Sequence, residues 1–450
     1  MTVATLHQRT VLRRLSDAVL CASFAVMYLA GTVSAASVAF GTGTGSSKFG
    51  TSMTFTESYS GATVTGADLL LRLPYDNAGP RVIAAKSFGA GSLSAVVDTT
   101  GGWPFPFAPV VGNFEVTLAD GTTQDGPDIN LTYSDDRFSW KTLTGSVIRL
   151  HYLDASASFA QKMLSLADGG VQRAATMFGI TETKPIDYYV YPSQNAFQQG
   201  LNQPDTVGGV AEPQYRVDFS IVANGDTAYA AQVMPHEPTH VVFWDATHNP
   251  YHSTPRWVDE GFAQYVSQGY DSSSKQEVTQ AVKSGSISSL LALRDFFPMD
   301  STRIYLAYAE AVSAVDFMVR KYGQPDVLKL VSAYASGDSD DAAFTAAFGV
   351  DVTGFDAAWE TEVGVKPTKY GPQPAPTGPL PPDWSNSGNA GASAGPDSSG
   401  TTSSGSSSGS GKESGGQPSG QAVFLLAGAL AAVGVVLVGV SLFLFVSSRE

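Results

Sequence analysis

The sequence predicts a multidomain chain. An N-terminal β-rich, sandwich-like domain is followed by an α+β, mainly helical domain, and one transmembrane helix stands at the C-terminal end. Three observations predict this. Up to residue 152, short alternating or β-branched runs are broken by Gly, Asp and Pro, the pattern of half-buried strands joined by turns. From Ala155 onward apolar residues recur at helical spacing, first as Phe159, Met163, Leu164, Leu166, Val171, Ala174 and Met177. Residues 422–446 carry no charge and are rich in Leu, Val, Ala and Phe, a run longer than the ~20 residues that span a bilayer.

Each segment follows in order. Residues 1–35 place Arg9, Arg13 and Arg14 before an apolar run that ends in Val33-Ser34-Ala35, the order of a secretory signal peptide. The single cysteine, Cys21, lies inside that run, so the mature chain is expected to hold no disulfide. Residues 36–152 form the β-rich domain, with strand-like runs at 52–58, 63–73, 93–98, 114–118 and 146–152. Residues 153–370 form the α+β domain. Its expected strands lie at 186–191 and 217–222, and its longer helices at 228–244, 256–268, 304–322 and 325–335. Residues 371–421 open Pro-rich and become Gly/Ser-rich, a composition too poor in apolar surface to fold, and read as a linker. Residues 447–450 make a short cytoplasmic tail, and the signal peptide then puts the bulk of the chain outside the cell, single-pass in the cell membrane.

A formal net charge of −15 excludes a nucleic-acid partner in any ordinary form, because no basic stripe is present to neutralise phosphates. The expected partners are a peptide or protein substrate and the membrane reached through the C-terminal helix.

Two of six histidines sit in His236-Glu237-Pro238-Thr239-His240. On a helix, positions i and i+4 share one face, so both imidazoles can reach one metal ion with the intervening glutamate beside the water it holds. A catalytic zinc takes three protein ligands and keeps one position open. Glu260, in Trp257-Val258-Asp259-Glu260-Gly261-Phe262-Ala263, can supply the third from a second helix. A third histidine six residues past the motif is excluded, since position 246 is Ala; His248 and His252 read as loop residues facing solvent or substrate.

This pair of segments resembles the gluzincin zinc peptidases, in particular the aminopeptidase-N type and the peptidase-MA-like families, in which the motif is followed by a Trp-x-x-Glu-Gly-x-Ala segment. The resemblance runs from about Ala155 to Glu362. It implies zinc (Zn2+) held by His236, His240 and Glu260, with Glu237 as general base. Tyr308, in Tyr308-Ala309-Glu310-Ala311-Val312-Ser313, resembles the tyrosine that stabilises the oxyanion, and Tyr305 competes for that role. Gly209-Val210-Ala211-Glu212 has the outline of the segment that binds a substrate's free amino terminus; Pro213 stands where the family has Asn, and an ordinary loop carboxylate is the other reading of Glu212. Pro238 departs from the family pattern. A proline removes an amide donor and costs ~3 kcal/mol in a helix interior, so the helix either kinks there or starts close to Pro235.

The function these resemblances imply is zinc-dependent hydrolysis of peptide bonds by an extracellular, membrane-anchored metallopeptidase. The alternative is a catalytically impaired surface binding module that retains the fold, for which Pro238 is the ground.

Overall fold

A computed structural model of the chain describes residues 37–75, 79–203, 207–298, 300 and 303–369. The expected signal peptide, linker, membrane span and tail all lie outside the described residues. No helix among the described residues is long and apolar enough to cross a membrane.

The described chain divides into two compact units. The first runs to Trp140 and holds ten strands: β1 (Val38–Phe40), β2 (Thr44–Lys48), β3 (Ser52–Gly61), β4 (Val64–Arg72), β5 (Arg81–Ala84), β6 (Ser87–Gly89), β7 (Ser92–Asp98), β8 (Pro109–Leu118), β9 (Thr123–Asp125) and β10 (Ile129–Thr132). They form two antiparallel sheets, β1-β3-β7-β6 with β2 beside β3, and β10-β8-β4-β5 with β9 beside β8. Period-2 alternation turns Met53 and Phe55 of β3 inward, together with Leu69 and Leu71 of β4 and Phe114 and Val116 of β8. Gly112 of β8 lets the sheets approach, since a side chain there would meet Phe55 at 3.0 Å and Leu69 at 3.1 Å. The same alternation carries Glu57 inward, 2 % exposed, with neither carboxylate oxygen hydrogen-bonded among the described residues. Burial raises its carboxyl to about 7.

The second unit is built on a five-stranded sheet in the order β11 (Lys141–Thr144), β12 (Ile148–Tyr152), β13 (Ile186–Tyr191), β15 (Val217–Ile221), β14 (Gly209–Glu212). Strands β12, β13 and β15 run parallel, while β11 and β14 are antiparallel edges. This moves the boundary expected at 152 back to Trp140. Strands β11 and β12 look like the preceding ones in sequence, but β12 pairs with β13 across the crossover helix α1 (Ala157–Phe178). Alternation shows a strand and does not show its partner. The short helix α2 (Gln194–Leu201), unanticipated in the sequence, groups with the first unit.

Among the described residues seven α-helices follow: α3 (Thr227–Thr247), α4 (Arg256–Ser267), α5 (Ser272–Ser284), α6 (Arg303–Tyr322), α7 (Gln324–Ala335), α8 (Asp340–Phe348) and α9 (Val352–Val363). Helix α3 is buried on nearly every face, which places it at the centre of the unit. It starts at the Asp226 cap, whose carboxylate accepts from the Tyr229 amide, and is one helix through both Pro235 and Pro238. A start near Pro235 is therefore ruled out: Pro238 lies in the helix interior. Two side chains donate into carbonyls of the proline-bearing turns, Thr239 Oγ1 to Pro235 at 2.8 Å and Tyr188 Oη to Val233 at 3.2 Å. On α1, Gly170 lies against Pro235, and a Cβ there would come within 2.6 Å of the proline Cα.

Candidate metal centre

Helix α3 presents His236 and His240 one turn apart, their rings 5.0 Å between centroids. Helix α4 brings Glu260 to the same point. Its Oε2 lies 3.4 Å from His236 Nε2 and 3.6 Å from His240 Nε2. These three buried residues each offer a ligand atom, all within 4.8 Å of one another. The approach of α4 depends on Gly261, where a Cβ would stand 2.6 Å from the Ala311 carbonyl oxygen on α6. The glycine after the third acid therefore has a packing cause.

The surroundings orient His240 and Glu260 of this triad. His240 Nδ1–H donates to Asp259 Oδ1 at 2.8 Å, which turns Nε2 toward the triad. Arg256 Nη2 donates to Glu260 Oε1 at 3.0 Å, which leaves Oε2 facing the two imidazoles. Burial lowers His236 to about 4, so its ring is neutral, the form that can ligate. At His240 burial acts in the same direction, but the carboxylates of Asp259 and Glu260 outweigh it and raise the ring to about 10. Burial alone would raise Glu260; His240, His236 and Arg256 more than offset it, and the group stays ionised.

The residues fit a metal on the structure's own terms. Both ring nitrogens of His236 and the Nε2 of His240 are buried without a hydrogen-bond partner among the described residues. Buried polar atoms left in this way are costly unless something binds them. Two nitrogens and one carboxylate oxygen are the donor set that zinc accepts.

Glu237, one residue past His236, is fully buried, and neither of its oxygens has a hydrogen-bond partner among the described residues. Burial pushes its carboxyl well up, and the charges of Asp218 and Glu260 push in the same sense against His240. A cation at the triad would act oppositely. Its carboxylate rests against β14 at Gly209, where a Cβ would lie 2.2 Å from Oε1. Glu212 ends the same edge strand, its carboxyl raised by burial to about 8. Tyr308 is buried on α6 with its ring edge-on to Phe297, and burial together with Glu260 and Glu237 keeps its hydroxyl protonated, a donor. Tyr305, one turn earlier, is half-exposed. His248 stacks on Trp244, and His252 bonds Asp340 at 2.8 Å, so both stand apart from the ligand triad.

Asp259 and Arg256 stand beside the triad and are not singled out by the sequence, and Gly209, read there only as the first residue of the Glu212 segment, packs against Glu237. A carboxylate next to the third ligand was the available signal for Asp259, since ligating histidines commonly hand their second nitrogen to such a group.

Residues 166–365 match the model of the Peptidase MA superfamily. That stretch contains the triad, Glu237, Glu212 and Tyr308, and the match bears out the resemblance read from the two motif segments. Among solved structures, an aminopeptidase N family protein from Idiomarina loihiensis is 10% identical with a TM-score of 0.39, covering 74% of this chain and 77% of its own. An M1 zinc metallopeptidase from Deinococcus radiodurans is 11% identical with a TM-score of 0.32, covering 72% of this chain and 92% of its own. No curated protein matches the chain. At these TM-scores the reading of the site rests on its own geometry and on the Peptidase MA match, which together support a metallopeptidase.

Proposed function

We propose that the chain hydrolyses peptide bonds with zinc at His236, His240 and Glu260, and that it does so outside the cell, tethered to a membrane. The observation that carries the chemistry is the buried triad with Glu237 beside it and Asp259 behind it. The location is supported by the sequence of residues 1–35 and 422–446 alone.

Zinc at the triad supplies a polarised scissile carbonyl and a more acidic water. Glu237 takes the proton from that water as its oxygen joins the carbonyl carbon. It then returns the proton to the amine nitrogen as the C–N bond breaks. The Tyr308 hydroxyl donates to the carbonyl oxygen while that oxygen carries negative charge, which is when a fixed donor counts most. Glu212 offers a carboxyl on the edge strand that a substrate's free ammonium group, by its own charge, would hold ionised as an anchor.

The binding-module alternative drew its support from Pro238. Helix α3 runs unbroken through that proline and keeps both imidazoles on one face, which weakens that ground. Replacing Glu237 by Gln separates the readings. Zinc content should stay at the wild-type level while turnover on a peptide library falls by roughly 10²–10⁴. A zinc-loaded wild-type chain that cleaves no peptide would favour the binding module.

A further inference from the structure

Beside the triad a cavity of about 410 Å³ opens, with the ligand His240 and its partner Asp259 at the inner end and Ala211 of the edge strand along one side. That volume suits a substrate side chain rather than a single water. Its wall on α3 is the ring of Trp244, with His248 stacked on it, centroids 4.0 Å apart and planes at 19°. Tyr251 stands at the mouth, 85% exposed.

The outer wall is the loop between α3 and α4, and it is pinned. The Asn249 side chain donates to the Tyr334 carbonyl at 2.7 Å and accepts from the amides of Tyr251 and His252 at 2.8 Å each. His252 and Arg294 both hold Asp340, at 2.8 and 2.6 Å. A wall fixed before the ligand arrives loses little entropy when it binds.

The charged groups that line this cavity are already satisfied by one another. Arg256 pairs with Glu260, Asp259 with His240, and Arg294 with both Asp340 and Asp295. A charged ligand would have to displace one of these pairs. Beside the uncharged Gln214, Ser253 and Thr254, what remains for recognition is the aromatic and prolyl surface of Trp244, His248, Tyr251, Pro213 and Pro250. The geometry points to this cavity as the subsite that receives a large apolar or aromatic side chain of the peptide next to the scissile bond, with the Trp244–His248 stack as its wall. This rests on the peptidase reading above and gives it a substrate class.

The test uses the full-length, zinc-loaded Glu237→Gln chain, so that peptides stay intact, and measures equilibrium binding of an alanine-based hexapeptide series. In it Phe or Gly replaces each position in turn. At one position Phe should bind about tenfold tighter than Gly, the scale of burying and stacking one aromatic ring. Trp244→Ala should bring the two peptides to equal affinity, and Trp244→Phe should restore part of the difference. If Trp244→Ala does not fold, His248→Ala, at an exposed ring, should still narrow the ratio. Equal binding of Phe and Gly peptides at every position, or a preference untouched by both substitutions, overturns the assignment. Turnover by the wild-type chain is scored separately. A chain that prefers the Phe peptide through Trp244 yet cleaves nothing upholds the subsite and removes the hydrolysis.

Discussion

Gly209 sits on strand β14 with the Glu237 carboxylate in the space a side chain would fill. A Cβ built there lies 2.2 Å from Oε1, 2.7 Å from Cδ and 3.2 Å from Cγ. Comfortable non-bonded separation is about 3.5 Å, so Gly209→Ala requires the carboxylate to retreat by on the order of 1 Å. The backbone tolerates alanine, because Gly209 is not among the residues of positive φ. What must move is the far end of one side chain, so the folding cost should stay within the ~1–3 kcal/mol of ordinary overpacking. The functional cost is larger, since displacing a reacting group by 1 Å costs ~10²-fold in rate. The expected outcome is a folded protein with wild-type zinc content and kcat lower by about two orders of magnitude. Because the loss acts through Glu237, it should nearly vanish when the substitution is made in the Glu237→Gln chain, a non-additivity that a double-mutant cycle reads directly. A folded, zinc-loaded Gly209→Ala chain with unchanged kcat would refute the reasoning. So would an equal loss in both backgrounds.

Three other outcomes follow from the same structure. Asp259→Asn should weaken zinc affinity about 10–100-fold while the three ligands remain, measured by competition with a chelator. Tyr308→Phe should lower kcat by ~10²–10³ with little change in zinc content, the scale of losing one oxyanion donor, and an unchanged kcat would pass that role to Tyr305. Glu57 is a carboxyl raised in the fold from 4.5 to about 7, so the folded unit holds its proton more tightly than the unfolded chain does. Its contribution to stability is full below pH 4.5 and is lost as pH rises through about 7. Glu57→Gln should flatten that part of the melting-temperature profile of the first unit, and a profile that keeps its slope would mean another group carries it.

The ligand triad was legible because its rule is short-range. His236 and His240 need only an i, i+4 helix face, and the Trp257–Ala263 segment marks where the third acid lies. The groups that bond behind the triad, Asp259 to His240 and Arg256 to Glu260, were hidden because those bonds depend on side-chain orientation. Asp259 neighbours Glu260 in sequence, yet nothing local says that it turns to His240 Nδ1 rather than to solvent. Gly209 was hidden for a different reason: its role is an absence of atoms, visible only once Glu237 is placed against the strand. The strand runs of the first unit could be read from alternation, as at Met53, Phe55 and Glu57. The boundary could not, because β12 alternates like its predecessors and differs only in pairing with β13 across a helix.

Helix α3 carries the two histidines through a stretch where Pro235 and Pro238 supply no amide hydrogen, and side chains and close packing hold that stretch in place. Tyr188 reaches in from the sheet, Thr239 bonds back along the helix, and Gly170 gives the proline room against α1. The candidate metal site thus presents a wider target to random substitution than its three proposed ligands alone. A methyl group at position 170 or a lost hydroxyl at 188 would disturb the packing that holds the imidazoles, although neither residue belongs to the triad. Drift along this chain should accordingly be slowest on the strand and helix faces turned toward α3, and fastest on the solvent sides of the same elements.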